Sequence, residues 1–187
     1  MGYSMQMIRP NGDIATLKKS IQQYGSILQT DENLRPLPLQ TAETSITYNY
    51  SRYFYEAAEG DDRFLVDGEN AGIRAIYGKP SWEALSMLSA MVLRIGNKYT
   101  DANGHWLTKE IEESRFFDED GREVGFDQYL FRNEGRHIKR VKRKRTVSEG
   151  DTSDYWEETA ANAINALNKL IEITVNCDDI YAVWEGD

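Results

Sequence analysis

Over residues 81–95 the apolar side chains Trp82, Leu85, Leu88, Met91, Val92 and Ile95 recur at steps of three and four, the period that lines one face of an α-helix. A Gly-Lys-Pro break precedes them. Pro80 is comfortable just before a helix, and Ser81 offers an oxygen to the unpaired N–H groups of a first turn. A second stripe, Trp156, Ala160, Ala163, Ile164, Leu167, Leu170 and Ile171, predicts another amphipathic helix near the C-terminus. Asp154 is placed to cap it, with Glu157 three residues on to complete a capping box. These two apolar faces match one another and are expected to pack together.

Elsewhere the period shortens to two. Thr44–Tyr55 sets Ile46, Tyr48 and Tyr50 on one side and Thr47, Asn49 and Ser51 on the other, which predicts a strand. Turns at 59–62 and 67–70 bracket a short strand over 63–66, and the apolar run 72–77 predicts a third. Residues 1–40 form an N-terminal segment with a helical spacing over Thr16–Leu28 and a connector fixed by Pro36 and Pro38. Residues 96–153 are rich in charge and glycine, with turns at 101–104 and 118–121. Between the turns a short helix over 108–117 is expected, and an apolar patch follows over 125–131. The tail from Tyr181 alternates as a terminal strand does. The fold class predicted is α+β in a single domain. A small antiparallel sheet packs against two long amphipathic helices, and 96–153 forms a charged inserted arm.

Composition supports a real core: 187 residues, 40% hydrophobic and 11% aromatic, suffice for one domain and argue against global disorder. The formal charge of −9 repels nucleic acid and favours basic partners. No run of apolar residues is long enough to span a membrane, and the first residues lack a secretory layout. A lone cysteine, Cys177, excludes an internal disulfide and fits a reducing compartment. A cytoplasmic location is therefore expected.

The run from Arg136 to Arg145 breaks the acidic balance. Arg136, Lys139, Arg140, Lys142, Arg143, Lys144 and Arg145 fall within ten residues. They are candidates to hold phosphate or an acidic protein surface; a plainer reading is an exposed hairpin strand whose charges meet nearby acids or the acidic face of a second subunit. Asp61, Asp62, Asp67 and Glu69 flank the short strand over 63–66 and would be the carboxylates of a metal-dependent nuclease, were they to converge. Asp118, Asp120 and Gly121 resemble part of a calcium loop, but a turn explains them better. No phosphate-cradling glycine motif, paired histidines or nucleophile constellation occurs, so no catalytic residue, metal or cofactor is assigned. Tyr48, Tyr50, Tyr53 and Tyr55, with Glu59, Asp61 and Asp62, provide rigid amphipathic area beside negative charge and are the candidate partner-binding residues.

The segments ITYNYSRYF and GIRAIYG, followed by a helix and then a long C-terminal helix with an acidic tail, resemble small accessory proteins encoded by bacteriophages. The matching parts are residues 47–49, 72–95 and 155–187. The resemblance implies a protein acting in the host cytoplasm during infection as an inhibitor of a defence enzyme such as a restriction or CRISPR nuclease, and it supplies no functional residues. The function expected is therefore non-catalytic inhibition, an acidic surface occupying the basic nucleic-acid-binding groove of another protein. The alternatives are a direct nucleic-acid binder using the basic strip, a metal-dependent nuclease, and a structural homo-oligomer.

Overall fold

Tyr3, Met5 and Met7 alternate with Ser4 and Gln6, and this period of two builds a strand, β1 (Gly2–Ile8), that the helical stripes overshadow in the sequence. The computed structural model describes residues 2–18, 40–126 and 138–187. The chain divides into two compact units, Met1–His105 with Gly150–Asp187, and Trp106–Glu149. Both boundaries fall inside the charged 96–153 span.

In the first unit β1 is the middle strand of an antiparallel sheet. It lies between β2 (Glu43–Thr47) and β8 (Val183–Gly186), and β8 is the terminal strand that the alternating tail predicted. Tyr3 sits opposite Ile46, and Met7 opposite Trp184. A one-residue slip would turn the buried methionines outward, so this register is fixed by burial. Gly186 is needed where it stands, because a Cβ there would lie 2.3 Å from the Ser4 carbonyl oxygen. Thr16 and Leu17 are extended and bridge Thr41 and Cys177, so the helix expected over Thr16–Leu28 does not begin at its first residues; the rest of it, and the connector with Pro36 and Pro38, lie outside the described residues.

The strand expected over Thr44–Tyr55 ends at Thr47. The Thr47 hydroxyl accepts a hydrogen bond from the Asn49 N–H and starts a 3₁₀ turn over Tyr48–Tyr50, which runs into helix α1 (Ser51–Ala58). The reason is visible in the buried set. Tyr50, Tyr53, Phe54, Ala57 and Ala58 repeat at helical steps and bury one face, whereas the alternating set stops being apolar after Tyr50. Residues Gly72–Ile76 are likewise 3₁₀ helix rather than a third strand, with Ile73, Ala75 and Ile76 buried. Of the predicted strand over 63–66 only Leu65–Val66 is extended; as β3 it pairs with β4 (Glu69–Asn70) across an Asp67–Gly68 turn whose two positive φ angles, 52° and 83°, suit a tight hairpin.

Two longer helices complete the unit, α2 (Ser81–Lys98) and α3 (Ala160–Asn176), packed on one another. Ala84, Met87, Leu88, Met91 and Ile95 form the buried face of α2, so the stripe lies one position round from the one predicted. Trp82 stands outside it, exposed. Ser81 is the first helical residue and donates its hydroxyl to Ala182 O rather than capping. In α3 the cap is Thr159, which accepts from the Asn162 N–H; Asp154 caps a turn by accepting from the Trp156 N–H, and Trp156 is exposed. Trp184 closes this core, its indole N–H donating to the Thr174 hydroxyl at 2.9 Å. The α1–α2 seam is held by Tyr99, which donates to Glu56 at 2.5 Å beside Lys98 at 2.8 Å from the same carboxylate. Burial, and then hydrogen bonding to that carboxylate, push the Tyr99 phenol up to about 12.

The second unit is built on a long antiparallel pair, β5 (Thr108–Phe117) and β7 (Lys139–Ser148), with a short strand β6 (Glu123–Val124) on the outer side of β5. The helix expected over 108–117 is strand β5. Its charges alternate between two faces and find their opposites on β7, which a helix would not allow. The Asp118–Gly121 stretch is the β5–β6 turn, as its local hydrogen bonds require. Phe126 packs on Phe116 with the rings tilted at 46°; residues 127–131 of the apolar patch lie outside the described residues.

Candidate functional site

The acidic and aromatic residues singled out from sequence separate into core and surface. Tyr50 and Tyr53 are fully buried, their hydroxyls donating to Tyr155 O and Glu158 O, so both are core residues and not contacts for a partner. Helical spacing, rather than tyrosine's amphipathic character, decided their place. Tyr48 and Tyr55 remain over one-third exposed, at 37% and 39%.

Asp61 is also withdrawn from the surface set. Its carboxylate receives Arg63 at 2.6 Å and Arg94 at 2.7 Å, while Arg94 also donates to Ala57 O at 2.8 Å. Hydrogen bonding from Arg63 comes first in holding this carboxyl well below the usual range. Asp61 thus ties the end of α1 to α2. It is not available to a metal, and among the described residues no group of three or more acidic, histidine or cysteine side chains is arranged to hold one. Asp61, Asp62, Asp67 and Glu69 therefore do not converge as the nuclease reading expects. Cys177 is buried, with its thiol pushed up by burial, the reverse of an activated nucleophile.

Between Glu59 and Asn70 most residues are exposed, with Phe64 buried and Asp61 half-buried among them. Glu59, Asp62, Asp67 and Glu69 are exposed, and none makes an ion pair among the described residues. Between them Leu65 and Val66 are exposed although apolar, because a two-residue hairpin has no second face to bury them. Asn70 donates to Tyr55 O at 2.9 Å, which holds the hairpin against α1. The result is a small apolar centre with a carboxylate rim. Leu65 and Val66 were missed as surface residues; their signal was an apolar pair enclosed by turn formers on both sides.

The basic strip has the opposite fate. On one face of the β5–β7 pair, Lys142 meets Glu112 at 2.7 Å and Lys144 meets Glu110 at 3.2 Å; on the other, Arg145 meets Glu113 at 3.0 Å. All three are diagonal cross-strand pairs. Arg140 donates to Ser114 at 2.8 Å, and the Arg143 guanidinium lies 5.8 Å from the Phe117 ring centre. Lys139 opens β7 opposite Phe117, and Arg136 lies outside the described residues. The hairpin strand anticipated as the plainer reading is what forms, and its acids come from the neighbouring strand of the same chain.

No family model, curated protein or solved structure matches the chain. The class defined by its own geometry is a mixed α and β protein with small antiparallel sheets. No helix among them is long and apolar enough to cross a membrane.

Proposed function

We propose that the protein acts by binding rather than by catalysis, and that the carboxylate-rimmed face of α1 and the β3–β4 hairpin is its working surface. The observation that carries this reading is where the charge falls. Residues 106–149 hold eleven basic and ten acidic side chains, a formal charge of +1, while the remainder holds eleven and twenty-one, a formal charge of −10. The excess negative charge therefore lies on the unit that contains this face, and three of the cations that could have bound phosphate, Lys142, Lys144 and Arg145, are matched by acids of the neighbouring strand. Such a field attracts a basic partner and sets its on-rate, while Leu65, Val66 and Tyr55 supply apolar area at the centre.

The partner of fitting chemistry is a protein with a basic, nucleic-acid-binding groove. A host defence nuclease, met in the cytoplasm by a phage-type inhibitor, is the particular target we propose from the sequence resemblance. In this reading two amphipathic helices back the sheet that supports the face, and residues 106–149 act as a self-neutralised charged arm.

The test is competition with DNA. The protein is expected to inhibit cleavage by a restriction or CRISPR nuclease, with inhibition weakening as salt rises. The combined variant Glu59→Gln, Asp62→Asn, Asp67→Asn, Glu69→Gln should lose at least about tenfold in potency, a change of roughly 1.4 kcal/mol. Unchanged potency in that variant, or inhibition indifferent to salt, would overturn the reading.

A further inference from the structure

A cavity of about 400 Å³ opens between β2 and α3 in the first unit. Four of its lining residues, Asn162, Asn165, Ala166 and Lys169, recur at steps of three and four on a single face of α3. Thr44 and Ile46 come from the inward side of β2, and Tyr155 closes one end. The walls are mainly apolar, and the volume is that of an ordinary small-molecule pocket.

Two polar atoms in this lining find no partner among the described residues. The Thr44 hydroxyl and Asn162 Oδ1 are buried without a hydrogen-bond partner among the described residues. Asn162 is 2% exposed, with its Nδ2 already committed to Asp154 O at 2.8 Å and Glu157 O at 3.1 Å, so only its acceptor is left over. Native interiors rarely leave such groups unpaired, because each then keeps its full desolvation penalty. Lys169 is half-buried and makes no ion pair among the described residues; burial pushes its ammonium down. A cation held partly out of water without a counter-charge favours an arriving anion.

We infer that the β2–α3 cavity is a binding site for a small amphipathic carboxylate. Lys169 pairs with its carboxylate, and Ile46, Ala166 and the Tyr155 ring enclose its apolar body. A hydrogen-bond donor in that body, such as an indole or hydroxyl, meets the acceptor left on Asn162. This site is separate from the acidic face, and it stands or falls independently of the inhibitor reading.

Indole-3-propionate is a suitable probe, with 3-(indol-3-yl)propan-1-ol as its uncharged counterpart. Titrations of ¹⁵N-labelled full-length protein are expected to show saturable shifts at the side-chain amides of Asn162 and Asn165, with the acid binding at least tenfold more tightly than the alcohol. Lys169→Met should abolish that preference while leaving the alcohol's affinity within about twofold, and Lys169→Arg should retain it. Ala166→Leu, which fills the cavity, should remove binding of both probes, with thermal melts verifying that each variant folds. Equal affinity for acid and alcohol, shifts confined to another surface, an unaltered preference in Lys169→Met, or no saturation with either probe would each overturn the inference.

Discussion

Asp61 shows what a single carboxylate does when two guanidinium groups from different elements converge on it. Arg63 comes from the turn that follows α1 and Arg94 from α2, so the contact closes a loop of chain as well as a pair of charges. Asp61→Asn keeps the shape but removes the charge from both partners, and is expected to cost about 1.5–3 kcal/mol in urea denaturation, the range for hydrogen bonds to charged groups. The pH dependence has a definite sign. The carboxyl is held down in the folded state, so its stabilisation is complete above the unfolded value near ~4 and is lost as pH falls below it. The gap between the two proteins should therefore be widest near neutral pH and close towards pH ~2. A gap independent of pH would show that the carboxylate's charge is not what holds this seam. The same residue illustrates a limit of pattern reading. Asp61 and Asp62 are adjacent and identical in sequence, yet one is bound by two cations and the other faces solvent.

At the scale of elements, charge complementarity decided what hydrophobic period could not. Thr108–Phe117 is polar enough to read as a solvent-exposed helix, and its strand geometry follows from having β7 beside it, with acids of one strand diagonal to bases of the other. Exposed pairs of this kind contribute only about 0.2–1 kcal/mol each, so their larger consequence is electrostatic: they cancel the field of the basic strip. The triple variant Glu110→Gln, Glu112→Gln, Glu113→Gln raises the formal charge of residues 106–149 from +1 to +4. It is expected to confer salt-dependent DNA retention in a mobility shift that the unaltered protein lacks, with affinity falling as salt rises. Equal DNA binding by both proteins would show that the neutralisation is not effective in solution. The segment from Tyr48 to Ala58 carries the complementary lesson. Its sequence, with Ile46 before it, fits a strand for three alternating positions and a helix for five, and burial of Tyr50, Tyr53, Phe54, Ala57 and Ala58 settles the competition.

For the whole molecule, the main apolar core draws on the first unit, from Tyr3 to Trp184, and includes none of the described residues of 106–149. The ends of the second unit are hydrogen-bonded neighbours, Glu149 N–H donating to Leu107 O at 2.8 Å, so a short linker can replace what lies between them. Substituting residues 106–149 with a short Gly/Ser linker is expected to leave a cooperative unfolding transition with stability within about 1 kcal/mol, since closing a loop of a different length changes little. Loss of the transition would show that the two units fold as one. The mixture of helix and small antiparallel sheets and the terminal strand were legible from periods of 3.6 and 2, because a buried face imprints its spacing on the residues that make it. So was the charge asymmetry, which is a property of composition. The central strand β1 is legible too, in the alternation of Tyr3, Met5 and Met7, although residues 1–40 read from sequence as an N-terminal segment with no strand. Which tyrosines are core, which aspartate is bound, where the basic strip finds its counter-charges and how β2 and α3 enclose a cavity were decided only by the tertiary structure. These depend on residues far apart in the chain, and a local pattern holds no record of the partner that folding brings beside it.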